Sequence, residues 1–300
     1  MALFKKKTTL VHHITYMGIM AAINLIFILL ATFFPPLMFV FILLLPFASA
    51  VVSYYCLKRF YIIYAVATVG LCLLCSAFNF GDTIFYIIPA IASGFVIGVL
   101  LEQKVHPFWL VLSTTIINAA LTYAFIPLVN LITNTDIVFS ILKIFNLQDY
   151  TYRTELVYLF VFLISLAQCA LSNFIILSDA KKIGIQINTR INSFWPYIIG
   201  LEASIALAIG CSLFYLPLGL VFICISFYFA AFLLVDLIFS KNLLIYIVSG
   251  LIVLAMVFVF AIFYKSLKEP YGIVLTIIFP LAIGAVSFLK NCLLKYPVNI

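Results

Sequence analysis

Charge is what this 300-residue sequence has least of. Nine acidic and sixteen basic residues make up 8% of the chain, where a soluble domain carries about 25%. That scarcity excludes an ordinary water-facing surface over most of the chain. Histidine is nearly absent too: His12, His13 and His106 are dispersed along the sequence, which argues against a metal site. No Walker A lysine loop occurs, so the chain does not hydrolyse ATP by that route. Neither Gly-x-Ser-x-Gly nor His-Glu-x-x-His occurs. No paired acid/base or nucleophilic constellation stands out within the apolar spans. The expectation is therefore a protein that is not an enzyme, with no catalytic residues, no metal and no cofactor. Strand-like alternation with a polar face is also missing, which excludes a β-barrel reading.

What is present is hydrophobicity. Apolar residues make up 67% of the chain, and the mean hydropathy is +1.33. The surrounding solvent is membrane lipid, and repeated runs of about 20 apolar residues satisfy their backbones there as helices. Ten candidate spans run over 14–34, 36–57, 60–78, 84–101, 107–132, 155–178, 197–215, 218–239, 242–264 and 271–289. Proline-marked turns, FFPP and YLPLG, separate the first pair and the seventh from the eighth. Seven cysteines lie almost wholly inside these spans. Cys72 and Cys75 form a C-x-x-C in GLCLLCSAF, but with no second pair and no nearby histidine they read as small packing residues.

The net charge of +7 does not point to nucleic acid, because the basic residues sit in short groups between spans. With the amino terminus inside, inner segments hold Lys5, Lys6, Lys7, Lys58, Arg59, Lys104, Lys181, Lys182, Arg190, Lys241, Lys290 and Lys295. Outer segments hold Lys143, Arg153, Lys265 and Lys268. This three-to-one bias predicts an all-α polytopic transmembrane helical bundle of about ten spans (eight to ten), both termini cytoplasmic. The first apolar run is too long for a signal peptide and lacks a clear small-residue cleavage site, so it reads as an uncleaved helix. An outer connection, 133–153, has an amphipathic middle at 137–145 suited to the interface. An inner connection, 178–196, is basic and ends in Phe194 and Trp195, suited to the headgroup belt. The expected division is a six-span bundle, 1–178, a cytoplasmic loop, 179–196, and a four-span region, 197–300.

Polar groups inside the membrane are costly and are where function shows. Glu202 and Asp236 lie near the inner ends of their spans, where they snorkel or pair with the inner-loop lysines or Lys241, the alternative being a proton relay. Thr114, Asn118 and Thr122 recur every four residues on one helix face. Ser165, Gln168 and Ser172 form a second stripe. Such stripes either join helices by hydrogen bonds or line a pocket. In FNFGDT, Asn79 and Asp82 flank Gly81 in what reads as a turn, or as polar groups at an aromatic-walled mouth. Gly18 and Ala22, with Ala21 beside them, form a small-residue face, and Ala90, Gly94 and Gly98 form another. Each either packs within the bundle or admits a membrane partner.

The pattern ITYMGIMAAINLIF…FFPPL…LLLPFASAVVSYYCLKRF…IIPAIASGFVIGVLLEQK resembles the opening of the YybS-like family of polytopic membrane proteins, as does KKIGIQINTRINSFWP after the sixth span. Over 1–178 it also resembles, more distantly, the S-components of energy-coupling factor vitamin transporters. That resemblance implies a six-helix bundle binding a small nutrient near the outer face in a bacterial cytoplasmic membrane. It implies Asn79, Asp82, Asn118 and Thr122 as ligand contacts. It also implies Gly18, Ala21 and Ala22 as a docking face for a transmembrane coupling subunit that works with cytoplasmic ATPases. The four-span carboxy-terminal region departs from the S-component pattern. The alternative function is a non-catalytic membrane scaffold of the bacterial envelope, similar in role to MreD.

Overall fold

In hydrocarbon a chain satisfies its backbone most simply by coiling, since every N–H then finds a carbonyl within its own segment. A computed structural model describes residues 9–34, 38–75, 80–134, 136–144, 152–183, 194–238 and 274–295, and every regular element among them is helical. The helices are α1 (Leu10–Phe33), α2 (Met38–Tyr55), α3 (Lys58–Cys75), α4 (Phe80–Glu102), α5 (Pro107–Thr133), the short α6 (Ile137–Ile144), α7 (Arg153–Ile183), α8 (Phe194–Phe214) and α9 (Leu216–Ile238). A 3₁₀ turn, Leu275–Ile277, leads into α10 (Ile278–Lys295). Seven helices are long and apolar enough to cross a membrane, and the stretches Val40–Tyr55 and Leu275–Asn291 are shorter apolar helices. This is a multi-pass integral membrane protein. The expected span at 242–264, the lysines Lys5 to Lys7 and the inner-loop residues 184–193 lie outside the described residues.

Helix ends follow local chemistry. Thr9 caps α1, its hydroxyl accepting from the His12 amide at 3.4 Å. Pro107 opens α5, where its missing N–H costs nothing, and the His106 side chain accepts from the Phe108 amide at 3.2 Å. The end of α4 closes without glycine. Val105 donates to the Leu100 carbonyl (3.1 Å) and Lys104 to that of Leu101 (3.0 Å), with Lys104 in the left-handed region at φ 55°. That bond pair is a Schellman closure. At the far end of α5, Asn134 takes the same conformation at φ 51°. Asn130 then accepts from the Ile137 amide (3.0 Å) and Asp136 from that of Phe139 (3.1 Å), starting α6. This places a helix over the amphipathic stretch read from sequence, with Ile137 and Leu142 buried and Phe139 exposed.

The chain divides into two units, Met1–Phe145 with Phe160–Ile191, and Asn146–Leu159 with Asn192–Ile300. In the first, α2 and α4 approach so closely that their backbones nearly touch. A Cβ on Gly94 would lie 2.5 Å from Ser49 Cβ and 2.7 Å from the Pro46 carbonyl oxygen; one on Gly98 would lie 2.6 Å from the Ala50 oxygen. Ala90, Ala48 and Ala50 are fully buried around this seam. The small-residue stripe of the fourth span therefore packs internally. In the second unit, Tyr197 stacks on Phe232 at 5.3 Å between α8 and α9, and Gly284 of α10 leaves room for Leu201.

The FNFGDT stretch is not a turn over its whole length, because α4 already begins at Phe80 and Gly81 and Asp82 occupy its first turn. An acidic residue at a helix amino end is favoured by the helix dipole, so the turn-forming composition serves a helix start. A Cβ on Gly81 would lie 2.6 Å from Thr133 Cγ2, so α4 enters tightly against the end of α5.

Candidate functional site

The polar stripes of α5 and α7 meet. Asn118 Nδ2 donates to Gln168 Oε1 at 2.8 Å, and Thr122 Oγ1 donates to Asn118 Oδ1 at 3.2 Å. The same Asn118 nitrogen lies 3.4 Å from Ser93 Oγ of α4 and 3.7 Å from Cys169 Sγ. Asn118 is wholly buried and stands about 17 Å along α5 from Pro107, near the middle of a hydrocarbon layer about 30 Å thick. Gln168 reaches a third element. Pro46 has no N–H, so the Ile42 carbonyl four residues earlier in α2 loses its helical donor. Gln168 Nε2 donates to that carbonyl at 3.1 Å. A proline in one helix is thus answered by a glutamine 122 positions later, across the core.

On the Gln168 face of α7, Ser165 three residues before it and Ser172 four residues after it have buried hydroxyls with no hydrogen-bond partner among the described residues, and Asn173 Oδ1, elsewhere around the same helix, has none either. Buried polar groups are overwhelmingly satisfied in folded proteins, so two orphans on the face that carries the network require a cause.

A second polar node was not apparent from sequence. Asn24 Nδ2 of α1 donates to Tyr64 OH of α3 at 3.1 Å and lies 3.3 Å from Ser49 Oγ of α2, with Ser49 and Tyr64 hydroxyls 3.2 Å apart. Asn24 Oδ1 is another orphan. Asn24, a lone amide in mid-span, was the available signal.

The other anticipated residues separate. Asn79 lies outside the described residues, and Asp82 is placed only as a backbone position in α4. The structure brings Asn118 and Thr122 together. On α1, Ala21 is buried while Gly18 and Ala22 are exposed; among the described residues nothing stands within 4 Å of a Cβ on Gly18. Glu202 is exposed. Asp236 pairs with a cation that the sequence reading did not choose: Lys290 Nζ of α10 lies 2.7 Å from Asp236 Oδ2 and also donates to the Asp236 carbonyl at 2.7 Å. Lys241 is outside the described residues. Lys290 thereby neutralises a carboxylate and satisfies one of the open carbonyls at the end of α9. Among the described residues no group of three or more His, Cys, Asp or Glu side chains is placed to hold a metal ion.

No protein-family model, curated protein or solved structure matches this chain.

Proposed function

We propose that the first unit binds a small, uncharged polar ligand in its Asn118–Gln168 centre, as a transport-associated component of the bacterial cytoplasmic membrane. The observation that carries this reading is the pair of orphaned hydroxyls, Ser165 Oγ and Ser172 Oγ, on the same face of α7 as Gln168 and its hydrogen bond to Asn118. A polar ligand supplies the donors and acceptors those groups lack, and a network without formal charge suits an uncharged ligand. The resemblance of 1–178 to S-components agrees with this reading and adds the expectation of an energy-supplying partner.

The second reading, a non-catalytic envelope scaffold, is favoured by a different observation. Gly18 and Ala22 are exposed on α1, and among the described residues nothing stands within 4 Å of a Cβ on Gly18, which allows another helix to approach closely. A scaffold uses that face and needs no ligand.

Native mass spectrometry of the full chain, extracted gently from its own membrane, separates the two. The transport reading expects a small-molecule adduct that is lost in Gln168→Leu, and a coupling subunit with ATPases that is lost in Gly18→Leu/Ala22→Leu. Envelope proteins bound through α1, with no adduct on the wild type, overturn it in favour of the scaffold.

A further inference from the structure

At the junction of α2 and α3 the first unit has a cavity of about 640 Å³, lined by Tyr54, Tyr55, Leu57, Lys58, Arg59 and Glu102 among others. Its size falls within the usual range for small-ligand sites, about 300–1,000 Å³. We propose that this cavity binds a phosphate-bearing anion, presented as the headgroup of a membrane lipid.

The charge comes from three side chains. Lys58 Nζ pairs with Glu102 Oε2 at 3.1 Å, both partly exposed, so the carboxylate of α4 balances one cation. Arg59 is exposed and has no ion-pair partner among the described residues, which leaves the cavity one net positive charge. Its guanidinium lies 4.8 Å from the centroid of the Phe60 ring, and Phe60 in turn packs on buried His13 at 5.3 Å. An aromatic platform of this kind holds the guanidinium while its N–H groups stay available, and a planar fork of donors suits phosphate. The amino end of α3 begins at Lys58 and lines the same cavity, adding its positive pole.

The flank of the cavity decides between a lipid and a free ion. Ile62, Ile63 and Val66 follow Arg59 at three-, four- and seven-residue intervals, so they share its helix face. They are 72%, 61% and 69% exposed. Leu57, at the rim, is 47% exposed. An anion seated at Arg59 therefore stands at the head of an apolar strip running into the membrane, the layout a phosphate headgroup with acyl chains requires.

The test is lipid retention by the detergent-solubilised full chain in native mass spectrometry, with phosphatidylglycerol, phosphatidylcholine or inorganic phosphate added. The expected result is preferential binding of phosphatidylglycerol, weakened about tenfold (about 1.4 kcal/mol) in Arg59→Gln, which loses the charged donor. Lys143→Gln, the same charge change on α6, leaves binding unaltered. Glu102→Gln tightens it, a gain that a damaged fold does not produce. Equal loss in Lys143→Gln, no loss in Arg59→Gln, or no gain in Glu102→Gln overturns the site. Displacement of the lipid by inorganic phosphate at equal concentration overturns the lipid as its occupant.

Discussion

The bond from Gln168 to the carbonyl freed by Pro46 makes a quantitative claim. Gln168→Leu removes the donor to the Ile42 carbonyl and the acceptor for Asn118 Nδ2. Hydrogen bonds between helices in lipid average about 0.6 kcal/mol and reach about 1.7, and a buried group left without a partner costs about 1–3 kcal/mol. The two losses together predict a destabilisation of about 2 kcal/mol. Pro46→Ala restores an N–H within reach of the Ile42 carbonyl, so in that background Gln168→Leu costs only the bond from Asn118, whose nitrogen keeps the longer contacts to Ser93 and Cys169. The cost then falls to about 1 kcal/mol, a coupling of about 1 kcal/mol between positions in different helices. Dodecyl sulfate unfolding of the four proteins of this double-mutant cycle, followed by far-ultraviolet circular dichroism in mixed micelles, measures it. A coupling below about 0.5 kcal/mol, the range in which independent sites add, refutes the argument.

Three further outcomes follow from the same packing. Gly94→Leu, whose first added carbon meets the α2 backbone, destabilises the protein by about 1–3 kcal/mol; Gly18→Leu, which meets open space, changes the same unfolding curve by less than about 0.5 kcal/mol. Asp236→Ala leaves the Lys290 ammonium, 10% exposed, with only a carbonyl partner. It costs roughly 1–3 kcal/mol, discounted from a fully buried pair because Asp236 is half exposed, and more than Lys290→Met measured alongside it. In a chain whose seven native cysteines are replaced, Leu57→Cys and Lys104→Cys react with an impermeant maleimide from one face of the membrane. Asn134→Cys reacts from the other.

The sequence carried the helices plainly, because the bilayer leaves an apolar run of this length one regular conformation. It carried the stripe Thr114–Asn118–Thr122 as well, since four-residue spacing is a local property. The partners of that stripe were not legible. Asn118 meets Gln168 fifty positions on, and Gln168 meets Ile42 126 positions back. Those pairings depend on which helices are neighbours. The two small-residue faces show the same limit. Gly18–Ala22 and Gly94–Gly98 share one spacing, yet among the described residues one face is open at Gly18 and the other is pressed against α2, because spacing says which residues share a face and not what that face meets. At FNFGDT the residue types of a turn and of a helix start coincide, and the helix prevails. The cavity at Arg59 is assembled from a junction and the distant Glu102, so it was invisible until α4 was placed beside α2 and α3.

The central claim is that a ligand occupies the polar centre between α5 and α7. Electron cryomicroscopy of the gently extracted protein tests it most directly. The account predicts non-protein density larger than water within hydrogen-bond distance of Ser165, Ser172 or Asn173. Ordered waters alone at those three side chains, in protein that has never been stripped of its native small molecules, would contradict it.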